Sequence, residues 1–301
     1  MSDFPISDVP KDAAFNVRMF VKENKGELST LVKSIFVYLL ILVIATLYVN
    51  YQLQMDAIEF MKSNRPDESL TGTLDFLAAV QNNSLSHPLV WVAQIINVLF
   101  AYCFAVIAVS WHRLVLLGRE RYEPMKINAP QRHELNFVGV WVLIGTIVPF
   151  IITYYGSMNF VVILFSMTLL PYLLFKISFY FPAKALDSHI SFQDSFRLTN
   201  GYFWKSIFTS FRAFWRVILV LIGIGFVAAF VGAVIGQILF VTSDVDPFLK
   251  GAYNQVVNQA FQTVIVIFFF QPLFTVLGVT ILSNFYQHAL RHKPASSDVM
   301  V

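Results

Sequence analysis

SIFVYLLILVIATLYVNYQLQM, residues Ser34–Met55, contains no Asp, Glu, Lys or Arg and is closed by Lys33 on one side and Asp56 on the other. An α-helix needs about 20 such residues to cross the roughly 30 Å hydrocarbon core of a bilayer. Within lipid the backbone must satisfy its own hydrogen bonds, so a run of this length reads as a transmembrane helix. Four more uncharged runs follow, Phe76–His112, Leu135–Phe175, Val217–Ser243 and Gly251–Leu290. Leu135–Phe175 is too long for one crossing and holds the turn-like Tyr154-Tyr155-Gly156-Ser157-Met158-Asn159, so it reads as two helices in a tight hairpin. The expected fold is an all-α polytopic membrane protein with six transmembrane helices.

Composition agrees. The 301-residue chain is 57% apolar and 13% charged, against about 25% charged in ordinary soluble domains. Of its 21 Lys and Arg, 18 fall in alternate gaps between the apolar runs, beginning with the N-terminal segment. Cytoplasmic loops carry such an excess, which puts both termini in the cytoplasm. Basic residues distributed in this way orient a membrane protein and do not point to nucleic acid. The first thirty or so residues are polar with no early apolar region, so no cleavable signal peptide is expected and the first span stays as an anchor. The chain divides into a cytoplasmic N-terminal amphipathic segment (1–33), a six-helix transmembrane domain (34–290) with an interfacial helix near 191–204, and a cytoplasmic tail (291–301).

The segment after the fourth span is the most organised part outside the membrane. Ser191-Phe192-Gln193-Asp194 has the form of a helix N-terminus, with Ser as cap and an acid three residues on. Phe192, Phe196, Thr199 and Phe203 would share a face, and Asn200-Gly201 is a stop signal. Lys205, Arg212 and Arg216 then recur at i, i+7 and i+11 beside Tyr202, Phe203, Ile207, Phe211, Phe214 and Trp215. Rings in the interface and cations among phosphates suit a membrane surface. Arg197, Lys205, Arg212 and Arg216 are therefore the candidate lipid head-group contacts, and the plainer alternative is a topology determinant with interfacial anchoring. In the fifth span Gly225, Ala229, Gly232 and Gly236 form a stripe of small residues for helix packing, which serves either a neighbouring helix or a homo-oligomer or other membrane-protein partner.

Pro149, Pro171 and Pro272 lie inside spans, where each removes a backbone donor and bends its helix. Gln255, Asn258, Gln259 and Gln262 put four amides on one helix face, either lining an outer vestibule or simply solvated or paired with the 56–87 loop. Gln94, Asn97, Gln237 and Gln271 are candidates for a modest internal polar site or for interhelical hydrogen bonds. Asn82-Asn83-Ser84 matches a glycosylation sequon. Lys176 is expected to snorkel from the end of the fourth span, and the Arg119–Pro124 loop after Trp111-His112-Arg113 reads as solvated surface or a docking point.

No nucleophile and base, paired carboxylates or metal-ligand spacing is apparent, and the six histidines are scattered. Cys103 is the single cysteine, so no disulfide framework or cysteine metal site is available. No catalytic, cofactor or metal residues are assigned, and the chain reads as non-enzymatic.

Tyr180-Phe-Pro-Ala-Lys-Ala-Leu-Asp187, Ser191-Phe192, Ser195-Phe-Arg-Leu-Thr199 and Gly201-Tyr-Phe-Trp-Lys205, with the Trp111-His112-Arg113-Leu114 exit from the second span, resemble a poorly characterised bacterial inner-membrane family. That family is similar to the membrane domain preceding some glycerophosphodiester phosphodiesterases. The resemblance implies a bacterial inner-membrane location and a link to lipid or envelope homeostasis. It supplies no catalytic residues, since the phosphodiesterase chemistry belongs to a separate soluble domain. The expected role is that of a lipid-interacting inner-membrane protein or complex component; the alternative is a transporter or lipid-translocating protein.

Overall fold

The computed structural model describes residues 19–63, 87–150, 160–241 and 247–292. They are helical throughout with short connections, and among the described residues no strand occurs. We number the helices α1 (Lys25–Ser63), α2 (Pro88–Leu117), α3 (Arg132–Val142), α4 (Phe160–Ile177), α5 (Tyr180–Ala185), α6 (Phe192–Leu198), α7 (Phe203–Val241), α8 (Pro247–Ile265) and α9 (Gln271–His292). Four helical stretches among the described residues are long and apolar enough to cross a membrane: Lys25–Phe60, Pro88–Leu117, Arg132–Phe150 and Val256–Arg291. The chain is thus an all-helical protein suited to a membrane. The hairpin turn at Tyr154–Asn159 and the Asn82-Asn83-Ser84 sequon lie outside the described residues.

Two of the span prolines account for the irregular turns. A π-turn at Leu143–Ile147 precedes Pro149, and another at Val266–Phe270 precedes Pro272. Proline supplies no N–H to the carbonyl four residues back and its ring crowds that turn. Widening the turn by one residue relieves the clash, and Val148 N–H accordingly bonds back to Leu143 O, five residues earlier. Pro171 sits within α4 with no such widening.

The described residues form two compact units, one within 1–38, 100–219 and 270–301 and the other within 39–99 and 220–269. In the first, α5 packs on α3 and α9, and α6 on α4 and α9. Its core joins Phe179, Ala183, Ile190, Leu198 and Tyr202 with Leu277, Ile281, Phe285, Tyr286 and Ala289. Rings add edge-on contacts, Phe179 with Tyr286 at 5.8 Å and Phe137 with Phe181 at 5.1 Å, each contributing on the order of 1 kcal/mol beyond buried area. In the second unit, the Gln54 amide of α1 donates to Gln259 Oε1 of α8 at 2.9 Å. Beside this bond lies a mostly apolar cleft of about 380 Å³, lined by Leu47, Asn50, Tyr51, Gln54, Val256, Val257, Gln259, Ala260 and Phe261.

Exposed apolar side chains are numerous and periodic. Val37, Ile41, Ile44 and Tyr48 of α1 are all exposed at i, i+4, i+7 and i+11. In water such a stripe would be a liability, whereas in a bilayer it faces chains as apolar as itself.

Candidate lipid-facing site

The first unit holds its loops with a polar hub that begins at the end of α2. Residues 110–113 are Ser-Trp-His-Arg, and successive helical residues point about 100° apart. Each therefore meets a different neighbour. Ser110 Oγ accepts the Met125 N–H at 2.9 Å, Trp111 Nε1 donates to Thr280 Oγ1 at 2.8 Å, and His112 Nδ1 lies 2.7 Å from Ser283 Oγ. Trp111 and His112, which lead towards the Arg119–Pro124 loop, are fully buried and part of the core. Arg113 Nε donates to Ala185 O at 2.9 Å, Nη1 reaches Glu134 Oε1 at 2.7 Å and Nη2 meets His133 Nε2 at 2.8 Å. Arginine has no acceptor, so Nε2 accepts and the ring proton sits on Nδ1, 3.5 Å from Asp187 Oδ1. The other Glu134 oxygen accepts the Gln131 N–H at 2.6 Å at the start of α3.

Asp187 ends α5 with φ of 59°. Its N–H bonds Lys184 O, and Ser188 N–H bonds Ala183 O, the C-terminal closure that usually places glycine at this position. Aspartate tolerates the left-handed region better than most residues.

Beyond this clasp comes α6, built as its sequence suggests. Ser191 Oγ accepts the Asp194 N–H, and the Asp194 carboxylate accepts from Ser191 Oγ and N. These bonds, the hydroxyl first, hold the Asp194 carboxyl below its ordinary range. Gly201, with φ of 85°, makes the turn into α7. Thr199 does not share the exposed face of Phe192 and Phe196: it is buried, its hydroxyl directed to Ser195 O at 2.8 Å and Lys176 O at 3.3 Å. Ser195 Oγ also donates to Lys176 O, at 2.8 Å. Two hydroxyls thus cap the end of α4 and seat α6 against it. Tyr202 is buried, and burial raises its pKa. Its hydroxyl lies 2.9 Å from His288 Nδ1.

The first three turns of α7 carry an exposed ring stripe. Trp204 (67% exposed), Phe208, Phe211 (66%) and Trp215 stand at i, i+4, i+7 and i+11. Lys205 and Arg212, both exposed, each follow one of these rings by one residue and so flank the stripe. Arg197 is exposed on α6 beside exposed Phe196. Arg216 lies on α7, and its side chain is outside the described residues. Of the four candidate head-group contacts, the three described ones are thus accessible beside exposed rings.

The remaining sequence candidates disperse. Gly225 is exposed, with nothing within 4 Å of where its Cβ would stand. The surroundings of Ala229, Gly232 and Gly236, and the side chains of Gln237 and Gln255, fall outside the described residues. Asn97 and Gln271 are exposed and Gln94 half-buried. Gln259 pairs with Gln54, and Gln262 Nε2 lies 3.4 Å from Asn258 Oδ1. Among the described residues no group of three His, Cys, Asp or Glu is placed to hold a metal.

No family model matches the chain, and no curated protein or solved structure shows significant similarity to it. The residues themselves therefore carry the functional reading.

Proposed function

We propose that this is a non-enzymatic six-span membrane protein, both termini cytoplasmic, that engages anionic phospholipid through Arg197, Lys205, Arg212 and Arg216. It would act in lipid or envelope homeostasis, as the resemblance to bacterial inner-membrane proteins suggests, alone or within a membrane complex. The observation that carries the reading is the ring stripe Trp204, Phe208, Phe211 and Trp215 flanked by Lys205 and Arg212. The amphipathic Trp204 and Trp215 rings prefer the head-group level, and each cation near an anionic surface adds about 1 kcal/mol. The two uncharged stretches around α4 and α7 supply the crossings beyond the four already counted.

The test uses the full-length protein in nanodiscs of phosphatidylglycerol or phosphatidylcholine, with retained lipid read by native mass spectrometry. Preference for phosphatidylglycerol is expected, and Lys205→Gln/Arg212→Gln/Arg216→Gln should erase most of it. Equal retention of both lipids by the native protein would refute the reading. The second reading, a transporter or lipid-translocating protein, is favoured by the cleft beside Gln54 and Gln259, although among the described residues none of Gln94, Asn97 and Gln271 lines that cleft.

A further inference from the structure

A lysine at the end of a span ordinarily reaches outward to the head groups, whereas the structure buries Lys176. Only 8% of the residue is exposed. Its ammonium makes one long hydrogen bond, 3.5 Å to Asn200 Oδ1, and lies 5.4 Å from the centre of the Tyr172 ring. An ammonium has three donors, so this partnership leaves most of its capacity unused. Among the described residues no carboxylate pairs with it; the acid on α6, Asp194, is committed to Ser191 at the far end of that helix. Removing a cation from water without a counter-ion is costly, and proteins meet that cost with a paired anion.

The surroundings are built to hold the ammonium in place. Lys176 O accepts the Ser195 and Thr199 hydroxyls, which fixes the backbone from which the side chain springs. Phe203 packs edge-on against Tyr172 at 5.2 Å and Phe175 at 5.5 Å, closing the apolar sides. Asn200 is exposed, so the amide forms a rim with the ammonium behind it. Three residues beyond Asn200, α7 begins, and the first N–H groups of a helix have no partner within it and favour an anion. A buried cation of α4 and an accessible amide thus meet at the turn that leads into a helix start.

We infer that Lys176 and Asn200, at the Asn200–Phe203 turn, form a binding site for a phosphate group, and that its occupant is the phosphate of a membrane phospholipid. This rests on the lipid reading above and deepens it: Lys205 and Arg212 attract the anionic surface, while Lys176 seats one head group. The Tyr172 and Phe203 rings beside the site suit a lipid, whose chains continue along apolar surface, better than a free ion.

The experiment titrates phosphatidylglycerol into delipidated full-length protein in detergent, counting bound lipid by native mass spectrometry, with thermal unfolding measured in parallel. Lys176→Met removes an under-compensated buried charge and keeps the volume, so it should fold with an unfolding temperature no lower than the native protein's. It should also weaken the tightest phosphatidylglycerol site at least 10-fold, with Lys176→Arg retaining most of the binding. Lys205→Gln/Arg212→Gln should reduce the number of weakly held lipids and leave that one site occupied. Inorganic phosphate is the second probe. If it stabilises the native protein but not Lys176→Met, and displaces the lipid, the site is for phosphate from solution and the lipid assignment is overturned. Unchanged phosphatidylglycerol affinity in folded Lys176→Met overturns the site itself, even where the stripe variants weaken binding. Loss of all lipid preference in the native protein fails the broader reading instead.

Discussion

Arg113 Nη1 stands 2.7 Å from Glu134 Oε1, both side chains all but removed from solvent. The pair joins the end of α2 to the start of α3, and the same guanidinium holds Ala185 O at the end of α5 and His133. Truncating one partner of a buried ion pair leaves a charge with no counterpart, at a cost of about 3–5 kcal/mol. Glu134→Ala should accordingly lower the thermal unfolding midpoint of the detergent-purified protein sharply. Arg113→Met/Glu134→Leu should recover much of the loss, because no lone charge remains. A double variant as unstable as the single one would mean that the guanidinium's bonds to Ala185 O and His133 outweigh the ion pair.

Asp187 has φ of 59° and its carboxylate faces His133. The backbone there favours glycine and the side-chain contact favours aspartate, so two substitutions separate the terms. Asp187→Gly should lie within about 1 kcal/mol of the native protein, since relief at the left-handed position offsets the lost contact. Asp187→Val keeps the strain, loses the contact and adds a branched Cβ, for a further cost of about 1–2 kcal/mol. Denaturant unfolding of the two variants measures the difference. Equal stability would show that strain at this position is negligible.

The α6 cap titrates. Its bonds to Ser191 hold the folded Asp194 carboxyl below the ordinary value of 3.8. A lowered carboxyl pKa means that the cap's contribution is present above the unfolded value and is lost as pH falls through the folded one. Hydrogen exchange at the α6 amides should therefore stay slow relative to the rest of the chain down to that range and then accelerate. Asp194→Asn should flatten this pH dependence. Because the carboxylate is largely exposed, global stability should hardly move.

Much of this architecture was legible because its signals are local. Ser191 and Asp194 mark a cap three residues apart, Gly201 marks a stop, and Pro149 and Pro272 each foretell a disturbed turn. The apolar runs likewise announce helices, although α1 begins at Lys25 and α8 at Pro247, since a helix does not stop where lipid stops. The Arg113 hub was not legible. Its partners lie on α3 and at the end of α5, as far as 72 residues away, and nothing local distinguishes Trp111-His112-Arg113 from an interfacial triplet. Lys176 misled for a related reason: a lysine at the end of a span ordinarily snorkels, and only the Ser195 and Thr199 hydroxyls folding back onto its carbonyl reveal that α6 covers it.

The Gln54–Gln259 amide bond closes one side of the cleft in the second unit. A hydrogen bond between side chains in a membrane protein contributes about 0.6 kcal/mol on average, so its deletion alone should be mild. Gln54→Leu/Gln259→Leu replaces both partners with apolar groups of similar size and leaves no orphan amide, which should hold stability within about 1 kcal/mol. If the cleft serves translocation, the same double variant should slow transfer of a fluorescent phospholipid between leaflets of reconstituted vesicles while the protein stays folded. If the protein instead acts through the rings and cations of α7, transfer stays at the level of protein-free vesicles for native protein and variant alike, and phosphatidylglycerol retention is unaffected. Measuring both quantities on one preparation separates the two readings, because the substituted residues lie in the 39–99 and 220–269 unit and the candidate lipid contacts in the other.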